Sequence, residues 1–326
     1  MSAIEVKHLS RIYEIYRKEP GLLGSLKSFF YRRIEEVPAV SDISFSVDEG
    51  ELVGFLGPNG AGKTTTLKML SGILQPSQGS MRVLGFNPSL REIEYCLQFA
   101  IVMGQKSLLL PDLPAWESFV LHKYIYEISE AIFNESIGEL IDALGIREIL
   151  DVPVRKISLG QRMKCELASA LMHRPKVLFL DEPTIGLDVV AQKQIRDFLK
   201  RHNREKKTTI LLTSHYMEDI KELCERVIII NHGNLVYDGG FNSLIVKYAP
   251  YKILHITFNE SGVRLEDVNV YGHIEKFHPF ECEIRVDREN AKHIAAQILA
   301  SNLPVDDILI DEIAADDVIR SIFKEV

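Results

Sequence analysis

The chain has 326 residues, of which 46% are hydrophobic and 26% are charged, and these proportions argue against disorder. With 38 Lys and Arg against 46 Asp and Glu, its net charge of −8 speaks against nucleic-acid binding, which needs a broad basic face. The four cysteines are single and far apart, which argues against a disulfide framework or a zinc site and fits a reducing compartment. No apolar run approaches the roughly 20 residues that span a bilayer, and the amino terminus lacks the apolar core of a secretion signal.

The first unit in chain order is a strand followed by a glycine-rich loop and a helix. Val47–Leu56 is predicted as a strand region, and it runs directly into GPNGAGKTTT. Helical periodicity follows over Thr65–Leu74, and Pro76 is expected to end it. This order is the first unit of an α/β domain with a parallel sheet.

The glycine loop satisfies the pattern GxxxxGK[ST]. Its glycines let backbone N–H groups turn toward phosphate oxygens, and the helix that follows points its positive end at them. Lys63 is expected to reach the β- and γ-phosphates, and the Thr64 hydroxyl to ligate Mg²⁺. A chance match in a turn is the alternative, and the position between a strand and a helix argues against it. The predicted nucleotide-binding residues are Gly57, Pro58, Asn59, Gly60, Ala61, Gly62, Lys63, Thr64 and Thr65.

The middle of the chain alternates between apolar runs and helical stretches. Residues from about Glu92 to Arg155 are predicted to be mostly helical. Short apolar runs beyond them predict strands that are buried on both faces, so a parallel sheet is the expected core. A hairpin turn is predicted at Asn231–Asn234. The predicted strands are Val177–Leu180, Thr208–Thr213 and Arg226–Ile230, and the predicted helices are Ala191–His202 and Met217–Cys224.

An acid pair, Asp181 and Glu182, ends the strand VLFL, at the edge where open parallel sheets present their ligands. One acid there can hold the Mg²⁺ shell, and a second can orient and deprotonate an attacking water. We assign Asp181 to the metal and Glu182 to the general base. A strand that ends in a solvated acid pair is the alternative, and the assignment gains weight only beside the phosphate loop.

Beyond about Tyr251 the pattern changes. The short strands KILHITF, CEIRVD and DDILID alternate with helices near Glu289–Ala300 and Asp316–Phe323. This predicts a small α+β accessory domain over residues 241–326. No chemical motif falls inside it.

Three further motifs complete an ordered set. Ile157-Ser158-Leu159-Gly160-Gln161 lies between the glycine loop and the acid pair, and Gly186-Leu187-Asp188 and Ser214-His215 follow. This combination resembles the ATP-binding subunits of ABC transporters over about residues 3–240, and in detail those that drive exporters of the ABC-2 class. The resemblance implies an α/β fold: a P-loop NTPase core with a parallel sheet, with antiparallel β and helical subdomains, the latter at about residues 92–155.

The resemblance also implies roles for single residues. Tyr13 stacks on adenine, Gln105 senses Mg²⁺ and the attacking water, and His215 contacts the γ-phosphate. Asp188 belongs to a loop across the dimer interface. Thr64, Gln105 and Asp181 form the Mg²⁺ shell, partly through water. The alternatives are a Tyr13 that packs on the core and a His215 that is a hydrogen-bonded loop residue.

Residues 158–161 have the spacing of a capping box before a helical stretch at Arg162–His173, which predicts a helix start with N–H groups that suit a phosphate. By the resemblance, Ser158, Leu159, Gly160 and Gln161 cap the nucleotide of the opposite subunit, so a closed pair holds two ATP molecules. Ser158 that only caps its own helix is the alternative. The usual family signature is LSGGQ, and Leu159 stands where its first glycine is expected. Leucine would be costly there if the position needed a positive φ or a close approach to phosphate.

An insertion at residues 14–38 follows the first strand. Its apolar residues recur at helical spacing beside basic ones, so it predicts an amphipathic helix whose residues 17–33 contact a membrane surface or a partner. The alternative is a hairpin packed on its own domain with a solvated basic face. The apolar residues are Leu22, Leu23, Leu26, Phe29 and Phe30, and the basic ones are Arg17, Lys18, Lys27, Arg32 and Arg33.

The resemblance implies an ATP hydrolase that energises an exporter from the cytoplasmic face of the membrane. Its expected cofactors are ATP and Mg²⁺. Its expected partners are a second ATP-binding subunit, as a homodimer, and separate transmembrane permease subunits. An importer subunit and a non-transport ATPase of the same superfamily are the alternatives, and a P-loop kinase is disfavoured by the signature and by Ser214-His215.

Overall fold

The computed structural model describes residues 1–17, 33–104, 106–214, 216–313 and 315–325. The internal contacts of the chain divide it into two compact units, Met1–Gly239 and Gly240–Val326. The elements of the first unit are, in chain order, β1 (Ser2–Arg17), β2 (Arg33–Asp48), β3 (Leu52–Leu56), α1 (Lys63–Leu70), β4 (Gln78–Val83), α2 (Ile93–Cys96), β5 (Phe99–Met103), α3 (Ala115–Ile125), α4 (Glu130–Leu144), α5 (Leu159–Leu171), β6 (Val177–Asp181), α6 (Val189–Lys206), β7 (Thr209–Thr213), α7 (Met217–Leu223), β8 (Arg226–Asn231) and β9 (Asn234–Gly240).

Two sheets organise this unit. The central sheet has six strands in the order β5-β6-β7-β3-β8-β9. The neighbouring pairs among the first five strands of this order are parallel. A smaller antiparallel sheet has the order β2-β1-β4. A buried apolar core takes side chains from both sheets and from α1, among them Ile4, Val47, Phe55, Leu67 and Phe179. The parallel core and the antiparallel subdomain therefore confirm the predicted fold class.

Three predicted elements of this unit need correction. Val47–Leu56 is two strands in two different sheets, because the chain turns at Gly50, whose φ is 75°. The helix after the phosphate loop ends at Leu70 instead of Leu74, because Gly72 turns the chain with a φ of 71° before Pro76 is reached.

The third correction concerns residues 92–155, which are mostly helical as predicted but also contain a strand. Phe99–Met103 is strand β5 at the edge of the central sheet, in parallel register with β6. Its sequence, FAIVM, is apolar throughout, and such a short run has no period that separates a buried strand from a buried helix. The pairing with β6 decides the outcome.

The predicted strands and helices of residues 177–240 are confirmed with small shifts at their ends. The predicted hairpin is also confirmed: His232 and Gly233 join β8 to β9 with φ values of 46° and 80°. Positive φ at both central residues matches the twist of the flanking strands.

The second unit carries a four-stranded antiparallel sheet in the order β11-β12-β10-β13, as the predicted α+β fold requires. Its core includes Leu254, Ile284 and Ile298. The sequence did not predict strand β11, which is half polar and lies at the sheet edge. The elements are α8 (Phe241–Tyr248), β10 (Tyr251–Phe258), α9 (Leu265–Val268), β11 (His273–His278), β12 (Glu281–Asp287), α10 (Ala291–Leu299), β13 (Val305–Glu312) and α11 (Ala315–Glu325).

Candidate active site

The phosphate loop connects the end of β3 to the start of α1, and two of its glycines are demanded by close approach. A Cβ on Gly57 would lie 2.4 Å from the carbonyl oxygen of Ile230, and one on Gly62 would lie 2.4 Å from that of Ala39. Gly62 also has a φ of 107° and precedes the first residue of α1. No other residue fits these positions without moving the backbone.

Lys63 curls back over this loop. Its Nζ donates hydrogen bonds to the carbonyl oxygens of Gly57, at 2.7 Å, and of Pro58, at 3.1 Å, and the residue is only 5% exposed. Burial lowers the pKa of Lys63, and the charges of Glu182 and Asp181 partly oppose that shift. A buried ammonium on the first residue of a helix suits a phosphate anion, so the residues fit the triphosphate that the sequence predicts.

Asp181 lies at the carboxyl end of β6, between two hydroxyls. Thr64 Oγ1 donates to it at 2.9 Å and Thr213 Oγ1 at 2.8 Å. Thr64, Asp181 and Glu182 also line one pocket of about 200 Å³ together with Lys68, Met103, Gly104 and Lys106. A hydroxyl and a carboxylate on one small pocket fit Mg²⁺, which commonly takes one or two protein oxygens and completes its shell with phosphates and water. Within the described ranges, no group of three or more His, Cys, Asp or Glu residues could hold a metal by itself.

Glu182 has an unusual backbone, with a φ of 54°. Its N–H donates to Thr213 Oγ1 at 3.0 Å and to the Thr213 carbonyl at 3.1 Å. Non-glycine residues rarely adopt this left-handed conformation, and it persists where the surroundings over-determine it. The strain lies at the residue that the sequence assigns as the general base.

Thr213 is the site residue that sequence reasoning missed. It is fully buried at the end of β7, and the parallel register pairs it with Asp181. Its hydroxyl donates to the Asp181 carboxylate and accepts from the Glu182 N–H. A threonine that ends an apolar strand is the only signal in the sequence, and it gains meaning only from the strand order.

The signature residues lie at the start of α5, and the predicted capping box is confirmed. Ser158 Oγ accepts the Gln161 N–H at 3.2 Å, and Gln161 Oε1 accepts the Ser158 N–H at 2.9 Å. Leu159 is the first helical residue and is 41% exposed, and it is not among the residues with positive φ. The backbone of this chain therefore accepts leucine at that position.

Gly160 and Asp188 belong to one contact between α5 and α6. A Cβ on Gly160 would lie 2.7 Å from the Cβ of Ala191, so glycine is required by packing. Asp188 caps α6 by accepting the Ala191 N–H at 2.8 Å. The signature and the Asp188 loop therefore pack on each other within this chain.

Tyr13 lies on β1, half-buried and paired with Val37 on β2. The guanidinium of Arg11 lies 4.9 Å from the centre of its ring, an arrangement that is favourable for a cation beside an aromatic face.

Gln105 and His215 lie outside the described residues, as do residues 18–32 of the insertion. The flanks of that insertion pair as antiparallel strands, from Tyr13 with Val37 to Ile15 with Glu35.

Known proteins are similar to this chain in sequence and in fold. A family model described as "ABC transporter" matches residues 40–185, and one described as "EvrA-like ABC transporter, C-terminal domain" matches residues 250–311. The ABC transporter ATP-binding protein NatA of Bacillus subtilis (strain 168) is 36% identical over 215 residues, which are 66% of this chain and 87% of that protein. The Nod factor export ATP-binding protein I of Paraburkholderia xenovorans (strain LB400) is 35% identical over 232 residues, 71% of this chain and 75% of that protein.

A solved dimeric structure of an ATP-binding cassette, described as a post-hydrolysis state bound to ADP and Pi, has the same fold. It is 21% identical, with a TM-score of 0.60 over 73% of this chain and 98% of that one. The chain thus has the fold of an ATP-binding cassette. It belongs to the family of ABC transporter ATP-binding proteins. In the described part of the chain, no helix has the length and apolar character that a membrane crossing requires.

Proposed function

We propose that this chain is the ATP-hydrolysing subunit of a membrane exporter, that it acts in a dimer with two ATP molecules at the interface, and that separate permease subunits hold it at the cytoplasmic face of the membrane. The observation that carries the proposal is the convergence of Lys63, Thr64, Asp181 and Glu182 on one edge of the parallel sheet. The name of the Nod factor export relative supports the exporter assignment. Residues 1–240 are the ATP-binding domain, and residues 241–326 are an accessory domain.

The residues of this edge divide the chemistry between them. Lys63 and the loop N–H groups bind the β- and γ-phosphates, and Tyr13 stacks on adenine. Thr64, Asp181 and Gln105 would hold Mg²⁺, partly through water, and the bound ion would supply neutralisation of the phosphate charge. Glu182 accepts a proton from the attacking water, whose oxygen bonds to the γ-phosphorus while the bond to the β–γ bridging oxygen breaks. His215 contacts the γ-phosphate.

A second chain is needed because the pocket of one chain is incomplete. The pocket that Thr64, Asp181 and Glu182 line includes none of residues 158–161. Those residues instead present a capped helix start, with Leu159 41% exposed, on another element. A helix start with N–H groups suits the γ-phosphate of a facing subunit. Ser158, Leu159, Gly160 and Gln161 therefore close over the nucleotide of the partner, beside the loop of Asp188.

Permease contact is supported by an exposed apolar region. Leu90, Ile93, Tyr124 and Ile125 are 65%, 76%, 71% and 58% exposed. Ile93 and Ile125 border one groove with Phe99 and Leu108. Apolar exposure at a groove of this kind marks a protein contact. The segment from Lys106 to Phe119 connects the groove to the site, because Leu108 lines the groove and Lys106 lines the pocket of Asp181. Residues 17–33 provide a second contact, with the membrane surface or the permease.

A complementation experiment tests the dimer. Lys63→Ala removes the phosphate contact and leaves the signature intact. Ser158→Asp keeps a good helix cap but sets a carboxylate against the γ-phosphate. Each variant alone should be inactive. Their mixture should recover hydrolysis, because in a mixed dimer one site combines an intact phosphate loop with an intact signature. If the mixture stays as inactive as its parts, while wild-type mixtures of the same concentration are active, the signature does not act across subunits.

A further inference from the structure

Asp219 is a buried acid whose contacts reach both loops of the active site. It lies in α7 with an exposure of 0%, and its carboxylate accepts three hydrogen bonds. The donors are the hydroxyl of Thr184, the hydroxyl of Ser214 at 2.7 Å and Nη1 of Arg196 at 2.9 Å. Because a buried carboxylate is costly unless it is paired and hydrogen-bonded, the geometry of all three donors is tightly constrained.

The two hydroxyls belong to the two loops that carry the proposed chemistry. Thr184 is two residues after Glu182, and Ser214 is directly before His215. Ser214 Oγ also accepts the N–H of Tyr216 at 3.0 Å, so both neighbours of position 215 are tied to this one hydroxyl. A single carboxylate thus connects the loop after β6 to the loop after β7.

The loop after β6 needs such a support. Glu182 is held in the left-handed region on its amino-terminal side by two hydrogen bonds to Thr213. On its carboxyl-terminal side, the next side-chain anchor is Thr184, which bonds Asp219. A strained residue stays in place only when its surroundings over-determine it, and Asp219 supplies the second half of that restraint.

The carboxylates around Arg196 provide a control that distinguishes positioning of the two loops from general packing. Arg196 is 4% exposed and contacts three carboxylates, with nitrogen–oxygen distances of 2.9 Å to Asp219, 2.8 Å to Glu222 and 3.9 Å to Glu218. Only Asp219 is also hydrogen-bonded to Thr184 and Ser214. Glu222 shares the arginine but not the loops, so it provides a matched control.

We propose that Asp219 is a positioning residue for ATP hydrolysis: through Thr184 and Ser214 it fixes the loop of Glu182 relative to the loop of His215. The proposal rests on the functions proposed above for Glu182 and His215. It assigns Asp219 no contact with the nucleotide. Errors near 1 Å in the placement of reacting groups can lower a rate about a hundredfold, so the effect should fall on kcat and not on nucleotide affinity.

Thr184→Val and Ser214→Ala test the proposal, since each removes one hydroxyl that bonds Asp219 and leaves the ion pair. Ser214→Ala also removes the acceptor of the Tyr216 N–H, so Thr184→Val is the cleaner of the two variants. In the full-length chain, we expect each to lower kcat for ATP about tenfold to a hundredfold, with KM and the affinity for a fluorescent ATP analogue within about twofold. Glu222→Gln is the ion-pair control. Thr208→Val is the control for loss of a buried threonine hydroxyl, because Thr208 is 3% exposed and lies on neither loop. Both controls should keep kcat within about twofold.

The variants also separate this proposal from the proposed function. On a Glu182→Gln background, Thr184→Val and Ser214→Ala should still form the dimer with ATP, because nucleotide binding and dimer closure do not depend on the exact position of the general base. If both loop variants keep wild-type kcat, or if Glu222→Gln lowers kcat as much as they do at equal thermal stability, Asp219 is only a structural residue. If instead Lys63→Ala retains full hydrolysis, the proposed function is wrong whatever the loop variants do.

Discussion

Thr64 and Asp181 are 117 residues apart in the chain, and a hydrogen bond of 2.9 Å joins Thr64 Oγ1 to Asp181 Oδ2. The bond links the phosphate loop to the acid pair. Thr213, at the end of β7, donates to the same carboxylate. The carboxyl ends of parallel strands meet at one edge of a sheet, so residues distant in sequence share one pocket. The Thr64 hydroxyl and the Asp181 carboxylate line this pocket, and they are oxygen ligands of the kind that Mg²⁺ prefers.

Lys63→Ala should weaken nucleotide binding about thirtyfold or more, because a buried charged hydrogen-bond donor to phosphate is worth about 2 kcal/mol or more. Equilibrium binding of a fluorescent ATP analogue measures this. Lys200→Ala, on the exposed side of α6, is the matched control and should bind normally. Equal affinities of the two variants would show that Lys63 does not contact phosphate.

Glu182→Gln should bind ATP and form a stable dimer, while its hydrolysis rate falls about a hundredfold or more, as for the loss of a general base. Phosphate release measures the rate, and sedimentation with ATP measures the dimer. Glu205→Gln, an exposed site, should behave as wild type. Near-normal turnover by Glu182→Gln would assign the base to another residue.

Thr213→Val keeps the shape of the side chain and removes the hydroxyl that bonds both Asp181 and Glu182. The variant loses one hydrogen bond to the Asp181 carboxylate and one from the Glu182 N–H, both in a buried place. It should therefore be destabilised by about 1–3 kcal/mol. We also expect an increased requirement for Mg²⁺, since the orientation of Asp181 is less restrained. Urea unfolding and a Mg²⁺ titration of the hydrolysis rate measure the two effects. Unchanged Mg²⁺ dependence would show that Thr213 only supports the fold.

Leu159→Gly restores the usual signature and should change hydrolysis by no more than about threefold. The backbone at Leu159 is already helical, so glycine gains no conformational advantage there and lowers stability by about 0.5–1 kcal/mol. Initial rates and thermal unfolding measure this, with Leu159→Ala as the comparison. A large rate increase with glycine alone would mean that the closed dimer needs a backbone conformation that leucine blocks.

His202 should make the fold sensitive to acid. Burial, with a smaller contribution from the charge of Lys206, lowers the pKa of His202 from its usual 6.5 to about 4. Between these values the unfolded chain binds a proton that the folded chain does not, so stability falls as the pH falls from 7 to 5. Wild type should lose about 1–2 kcal/mol more over this range than His202→Gln.

Urea unfolding at both pH values measures that difference, and comparison of the two proteins cancels the other titrating groups. His232→Asn, at an exposed turn, should lose as much stability as wild type. If His202→Gln and wild type lose the same amount of stability, folding does not lower the pKa of His202.

The sequence by itself determined the phosphate loop, the capping box at Ser158 and the hairpin at His232-Gly233, because each depends on local geometry that a few adjacent residues fix. It also determined the order of motifs and hence the family. Tertiary structure decided the rest. Phe99–Met103 became a strand only through its pairing with β6, and Thr213 became a site residue only because strand order sets it beside Asp181. The link from Asp219 to both active-site loops likewise joins residues that no local pattern connects, since burial and parallel register are properties of the whole sheet.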